Sequence, residues 1–127
     1  TYSLYPHAGD YREAGTIKTA YELNNPMTAM KIDKHSGKLA DSYSLVSVKD
    51  ENVVIETIKK AENGDGIIVR MYESFNKRTN TVLKTGFGFE SVTLCDMLEN
   101  DLKVISAKEN SIPITLKPFE IVTIKIR

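Results

Sequence analysis

Short runs in which apolar residues alternate with polar ones dominate the chain after residue 40. The clearest run is Ile67 to Phe75, and Phe119 to Ile126 repeats its pattern near the carboxy terminus. Successive side chains of a strand point to opposite faces, so this period of two predicts strands with one buried face. Further strands are predicted at Tyr43 to Val48, Val53 to Lys60, Thr81 to Thr85, Phe89 to Met97 and Ile112 to Leu116.

Turn residues separate these runs. Asn63-Gly64-Asp65-Gly66 predicts a tight hairpin, and Gly86-Phe87-Gly88 predicts a bend before Phe89, after which Val92 and Leu94 are expected to face inward. Many short strands with regular turn signals are typical of an antiparallel sandwich. The predicted fold class is therefore all-β, an antiparallel β-sandwich of immunoglobulin-like or related type, with one short amino-terminal helix.

The first 40 residues have a different character. Asp10 to Leu23 is the predicted helix, with Asp10 and Glu13 as a capping box and Asn24-Asn25-Pro26 as its end. Tyr2 to Tyr5 resembles the body of a strand, and Met27 to Ile32 is predicted as another. We therefore divide the chain into residues 1–40, which hold a strand, a helix and a connection, and residues 41–127, which form the sandwich.

Composition narrows the function classes. The chain has 127 residues, enough for one domain with a modest core, and its 17 lysines and arginines balance 17 aspartates and glutamates. Neither nucleic acid nor an anionic membrane is an expected partner, and no apolar run approaches the roughly 20 residues that span a bilayer. The single Cys95 suits a reducing, cytoplasmic compartment. Because the chain opens on Thr1, directly in a strand-like run, we expect an excised or processed piece of a longer protein.

Residues with reactive side chains are sparse or scattered. His7, His35 and Cys95 are too far apart in sequence to suggest a zinc site, and no serine stands in a nucleophile-elbow context. Carboxylates are numerous, but most occupy strand positions expected to face water or pair with cations; Arg70 and Glu73 are interpreted in this way. We predict no catalytic residue and no metal ligand in this chain.

Sugar binding is the alternative that the residues leave open. The chain has no tryptophan, but its six tyrosines could provide aromatic platforms for a pyranose ring. Tyrosines on strands are at least as often part of the core edge. A stand-alone carbohydrate-binding module, or a β-sandwich that only binds another protein, is therefore the alternative interpretation.

Five blocks of the sequence occur in an order that resembles a known family. They are residues 4–12 with 20–26, residues 52–62, residues 68–73, residues 96–99 and residues 118–124. Together they resemble the carboxy-terminal β domain of family-38 glycoside hydrolases, the α-mannosidases. Two departures stand out: Tyr11 occupies a position where tryptophan is expected in many relatives, and Met27 to Ser42 matches poorly.

The resemblance implies a parent enzyme with its reactive centre elsewhere. Such enzymes are retaining hydrolases of α-mannosides whose amino-terminal domain holds zinc and an aspartate nucleophile, and neither maps onto this chain. The fragment is therefore expected to be inactive alone, without a cofactor of its own. Its expected partners are the upstream catalytic and β domains, and a homo-oligomer with a second copy is left open. His7, Asp10 and Arg12 are predicted to line the edge of the substrate cleft.

Overall fold

Strands make up most of the regular structure in the computed structural model, which describes residues 2–127; Thr1, the first residue of the predicted amino-terminal region, lies outside it. The described residues form one helix and eight strands, and they divide into two units, one up to Lys38 and the other Leu39–Arg127. The elements are α1 (Thr16–Asn24), β1 (Val46–Ser47), β2 (Val53–Lys60), β3 (Ile67–Glu73), β4 (Thr79–Thr85), β5 (Val92–Cys95), β6 (Asp101–Val104), β7 (Ser111–Leu116) and β8 (Ile121–Ile126).

The eight strands form two antiparallel sheets. One sheet has three strands in the order β1-β4-β7, and the other has five in the order β2-β3-β8-β5-β6. The core lies between them, because inward-facing residues of both sheets belong to one buried cluster. Its members are Val46, Val53, Val69, Met71, Leu83, Val92, Ile112, Ile114, Leu116, Val122, Ile124 and Ile126. The predicted all-β sandwich with one short helix is confirmed.

The predicted hairpin at residues 63–66 is also present. It joins β2 to β3, and the N–H of Ala61 donates to the carbonyl of Gly66 over 2.9 Å. Gly66 has φ +101, and a Cβ there would collide with the backbone of Ile126. Glycine is therefore required at this position for both its backbone angle and its lack of a side chain.

Several predicted strands differ in extent from the observed ones. Tyr43 to Val48 shortens to Val46–Ser47, and Phe89 to Met97 shortens to Val92–Cys95, in which Val92 is buried and Leu94 is half-buried against the core. Strand β6 was not predicted. Its sequence, Asp-Leu-Lys-Val, does alternate, but the run is only four residues long and all four residues are exposed rather than buried on one face.

The predicted start of the helix is wrong by about two turns. The helix begins at Thr16, because Gly15 before it has φ +62 in the left-handed region and breaks the helical path. The capping-box contacts of Asp10 and Glu13 do form, with Asp10 Oδ1 accepting from the N–H of Glu13 over 3.1 Å and Glu13 Oε2 from that of Asp10 over 3.3 Å. They close an isolated turn rather than a helix.

The two strands predicted near the amino terminus are absent. Tyr2 to Tyr5 and Met27 to Ile32 have no regular structure, and no strand occurs in residues 2–38. A strand needs a neighbour to satisfy its backbone N–H and carbonyl groups, and this unit offers none. The apolar pattern of both segments is therefore left without a partner surface.

Candidate functional site

The three predicted cleft residues lie in the turn that precedes α1. Asp10 and Arg12 form an ion pair in which Arg12 Nε donates to Asp10 Oδ2 over 2.8 Å and the guanidinium Nη2 approaches the same oxygen. Asp10 Oδ1 accepts from the backbone N–H of Arg12 over 2.8 Å. The Arg12 guanidinium and the Glu13 N–H hold the pKa of Asp10 at about 2. Asp10 is therefore a fixed carboxylate that organises its own turn.

His7 has different contacts. Its ring lies 5.6 Å from that of Tyr5, measured between centroids, and its Nδ1 is 3.3 Å from the carbonyl oxygen of Ala8. The Tyr5 hydroxyl donates to the carbonyl of Ala14 over 3.0 Å, which ties the start of this segment to the turn. The turn thus presents an exposed imidazole, while the opposite charges of Asp10 and Arg12 neutralise each other. Their place at a substrate cleft stays a prediction.

Glu73 is the carboxylate that the sequence interpretation placed wrongly. Its side chain is 1% exposed rather than solvent-facing, and it has no cationic partner among its hydrogen bonds. Its oxygens accept from the amide of Asn52 over 2.8 Å and from backbone N–H groups of Phe75, Lys77 and Phe119 over 2.7, 3.2 and 3.0 Å. Burial alone would raise the pKa of Glu73, but these four donors outweigh it and lower the pKa.

The bonds of Glu73 have a structural purpose. They hold the two turns that contain Asn76, with φ +59, and Phe119, with φ +56. Non-glycine residues seldom adopt these left-handed angles, at a cost of about 1–2 kcal/mol for a residue such as phenylalanine. From its buried position, Glu73 therefore stabilises these two strained turns of the sandwich by hydrogen bonding. It is not an acid or base open to a substrate.

A second polar cluster covers the outer face of the five-stranded sheet, the face away from the core. Lys125 is buried and donates to Asp101 Oδ1 over 2.8 Å and to the carbonyl of Glu99 over 2.9 Å. Arg127 bridges Asp101 over 2.7 Å and Asp65 over 2.5 Å. Lys125 and then Arg127 hold the pKa of Asp101 at about 2. Each of these charges is thus compensated by a neighbour.

The loop of residues 96–100, which connects β5 to β6, folds across the same face. Asp96 Oδ1 accepts from the N–H groups of Leu98 and Asn100 over 2.8 and 2.9 Å, and the side chain and N–H of Asn100 lower the pKa of Asp96. Glu99 pairs with Lys59 over 2.8 Å, which, with a bond from the N–H of Glu62, lowers the pKa of Glu99. The guanidinium of Arg70 donates to the carbonyl of Met97 over 3.2 Å. We call this segment the 96–100 loop.

The displaced carboxyl pKa values in and around these clusters all shift in one direction. A glycosidase acid generally needs a raised pKa. Five carboxyl groups among residues 2–127 have displaced pKa values, and hydrogen bonds or ion pairs make all five lower; they are Asp10, Glu73, Asp96, Glu99 and Asp101. Such groups stay ionised at neutral pH and cannot donate a proton to a leaving group.

Nucleophilic and metal chemistry are equally unsupported. Burial, followed by the hydrogen bond to Asp101, raises the pKa of the Cys95 thiol, which favours its unreactive neutral form. Within the described part of the chain, no three histidine, cysteine, aspartate or glutamate side chains are grouped so as to hold a metal ion, so these residues do not fit zinc. Nor does that part contain a helix long and apolar enough to cross a membrane.

The two sheets thus define an antiparallel β-sandwich domain in which polar clusters join strands and loops. Comparison with known proteins supplies the family: residues 52–124 match the model of the glycosyl hydrolases family 38 C-terminal beta sandwich domain, and the chain belongs to this family. The match begins just before β2 and ends within β8. It therefore includes strands of both sheets, from β2 to part of β8, but neither β1 nor the amino-terminal unit.

Similar proteins extend the likeness over nearly the whole chain. An alpha-mannosidase 2C1 from Mus musculus is 35% identical over 95% of this chain, and the human one is 32% identical over 98%. Alpha-mannosidase G of Dictyostelium discoideum is 33% identical over 98% of this chain. This chain spans only 12% of the length of each of these relatives. The resemblance to the family read from the five sequence blocks is confirmed.

Neither polar cluster was foreseen from the sequence. Glu73 lies at the end of an alternating strand, where a carboxylate is expected to face solvent, and two of its four donors, Asn52 and Phe119, come from segments far away in sequence. On β8, Thr123 and Lys125 alternate with three core residues, a pattern that predicts solvent-facing positions, yet both are buried. The 96–100 loop contributes to this outer face, since the carbonyl of Glu99 accepts from Lys125.

Proposed function

We propose that this chain is a non-catalytic, carboxy-terminal structural domain of an α-mannosidase. The parent enzyme hydrolyses α-mannosides with retention of configuration and uses zinc. The nucleophile and the zinc ligands are residues that this chain does not contain. The observation that carries the proposal is the family match over residues 52–124, together with relatives that are themselves alpha-mannosidases and several times longer. The parent is cytoplasmic, where the single Cys95 remains reduced.

The geometry supports the non-catalytic part of the proposal. The displaced carboxyl pKa values all lie on the acidic side, and the ionised groups on the outer face are paired with one another. Their bonds tie strands and loops together.

Parallel assays of the 127-residue chain and its longer parent polypeptide test this function. Both are incubated with a chromogenic α-mannoside, with zinc and with a chelator. We expect zinc-dependent turnover from the parent only. Turnover by the 127-residue chain alone would show that a reactive centre lies within it, and a parent inactive on every α-mannoside would remove the proposed substrate class.

Ligand titration separates this function from the sugar-binding alternative. Mannose oligosaccharides at millimolar concentration are added to the isotopically labelled 127-residue chain, and its amide chemical shifts are followed. A structural domain gives no saturable shift. Saturable changes around Tyr2, Tyr5 and Tyr11, three exposed tyrosines, would favour the carbohydrate-binding module instead.

A further inference from the structure

Four apolar side chains are exposed within eight residues of the sandwich. Met97 and Leu98 in the 96–100 loop are 55% and 81% exposed, and Leu102 and Val104 in β6 are 62% and 71% exposed. Single exposed apolar residues are ordinary, but several on one loop and the adjoining strand are not. We call these four residues the 97–104 surface.

The loop half of this surface is held in one conformation. Asp96 binds the N–H groups of Leu98 and Asn100, Lys125 binds the carbonyl of Glu99, and Arg70 binds that of Met97. Glu99 has φ +67, a left-handed angle that is retained against its cost. The loop therefore presents Met97 and Leu98 with little conformational entropy left to lose on binding.

The strand half lies at the edge of its sheet. β6 pairs with β5 only, so its other side has no neighbouring strand in the sheet order. Exposed edge strands tend to associate with other chains and are usually blunted by charges or covered by other structure. In β6 the only lysine is Lys103, and the apolar side chains of Leu102 and Val104 on either side of it remain exposed to solvent.

The charges behind the surface determine what kind of partner fits. Lys59, Lys125 and Arg127 are each paired with a carboxylate of Glu99 or Asp101. The polar cluster therefore balances its own charges and provides no strong field for an ionic ligand. An uncharged, apolar protein surface is the complementary partner.

We propose that the 97–104 surface docks this domain onto another domain of the same α-mannosidase polypeptide. This inference rests on the proposed function. The length of the relatives indicates what covers the 97–104 surface. This chain covers 12 to 13% of each relative, so most of the protein surface available to the domain belongs to the rest of the same polypeptide. A second copy of the domain is the competing occupant.

Hydrogen exchange compares the surface in two contexts. The parent polypeptide and the 127-residue chain are digested after deuterium labelling, and peptides covering residues 96–105 are followed. We expect exchange in the parent to be slower by at least about tenfold, because docking protects the free edge of β6. Equal exchange in the two proteins would overturn the proposal. The readout does not need activity, so an inactive parent would refute the proposed function without deciding this one.

Matched substitutions locate the interface. Val104→Lys changes the 97–104 surface, whereas Val82→Lys changes another exposed valine, 42% exposed, on β4 of the other sheet. Both variants of the 127-residue chain should unfold at nearly the same temperature as the unsubstituted 127-residue chain. In the parent polypeptide, Val104→Lys should raise exchange at residues 96–105 by about tenfold and Val82→Lys should not. Equal effects of the two substitutions would contradict docking at this surface.

Sedimentation of the 127-residue chain tests the competing occupant. We expect a monomer at micromolar concentration, for which Leu98→Lys changes nothing. A dimer that Leu98→Lys dissociates would show that the surface pairs two copies, and the proposal of docking within one polypeptide would then be wrong.

Discussion

The two units of the chain are both rich in apolar residues, yet only one of them buries any. In Leu39–Arg127, side chains from two sheets enclose a core in which Leu83, Ile112 and Leu116 have no exposed surface. In residues 2–38, no residue is buried, and Tyr2, Leu4 and Met27 are almost wholly exposed. An apolar pattern therefore produces a stable element only where a second apolar surface is available to cover it.

The largest difference between the units should appear when a leucine is truncated in each. Leu83→Ala opens a cavity between the sheets and should lower the free energy of unfolding by about 2–5 kcal/mol. Leu23→Ala, on the exposed surface of α1, should lower it by less than about 0.5 kcal/mol. Urea denaturation followed by circular dichroism measures both. Similar losses for the two variants would mean that α1 is buried in solution.

A smaller effect is expected from the buried carboxylate of the sandwich. Glu73→Gln keeps the size of the side chain but replaces one acceptor oxygen with an NH2 group that faces backbone donors, so the free energy of unfolding should fall by about 1.5–3 kcal/mol. The exposed Glu51 provides the control, since Glu51→Gln should change stability by less than about 0.5 kcal/mol. A Glu73→Gln variant as stable as the unsubstituted 127-residue chain would show that the turns at Asn76 and Phe119 do not depend on the Glu73 carboxylate.

Acid should destabilise the sandwich in a pH range set by its carboxylates. The folded pKa values of Glu73 and Asp101 lie below their ordinary values of 4.5 and 3.8, that of Asp101 at about 2. The folded state therefore binds fewer protons than the unfolded state, and the stability from both groups is present above pH 4.5 and lost as the pH falls toward 2. Urea midpoints measured between pH 6 and pH 2, a range of about four units around these values, should show this decline.

Substituting two aspartates with similarly lowered pKa values distinguishes the contributions of the two units in this pH experiment. Asp101 and Asp10 both titrate at about 2, but Asp101 joins strands of the sandwich whereas Asp10 closes a turn in residues 2–38. Asp101→Asn should flatten the decline below pH 3.8, the ordinary pKa of the aspartate it removes. Asp10→Asn should leave the curve of sandwich unfolding unchanged. An equal response to both substitutions would join the two units into one cooperative structure.

How well each element could be predicted depended on whether it packs against a core. Alternation identified β3 and β8 because one face of each strand meets a core, and the glycines at residues 63–66 identified the hairpin between β2 and β3. Pattern failed at β6, which is exposed throughout, and at Met27 to Ile32, where a strand-like run has no partner. Gly15 lies inside the predicted helix of Asp10 to Leu23, yet its left-handed angle decides where α1 begins.

The candidate sites were less predictable because their contacts join distant segments. Asp10 and Glu13 are three residues apart, and their capping contacts could be read from sequence, although they close a turn rather than a helix. The bonds of Glu73 to Asn52 and Phe119 cross intervals of 21 and 46 residues. Such contacts depend on strand register, which single-sequence patterns do not determine.

The smallest effect is expected from deleting the amino-terminal unit altogether. A chain that begins at Leu39 retains both sheets and every residue of the core cluster. Since no residue from Tyr2 to Lys38 is buried, the deletion removes no buried residue that the structure describes, and the thermal midpoint should shift by less than about 2 °C. Differential scanning calorimetry of the two chains provides the measurement.

A chain shortened from the other end is the matched control for this deletion. Removing residues 121–127 takes away β8, which lies between β3 and β5 at the centre of the five-stranded sheet, and should abolish cooperative unfolding. A large loss of stability on removing residues 1–38 would show that their apolar side chains contact the sandwich in solution. A negligible loss would instead leave Tyr2, Leu4 and Met27 as exposed apolar side chains, which favour association with another protein surface where they are grouped.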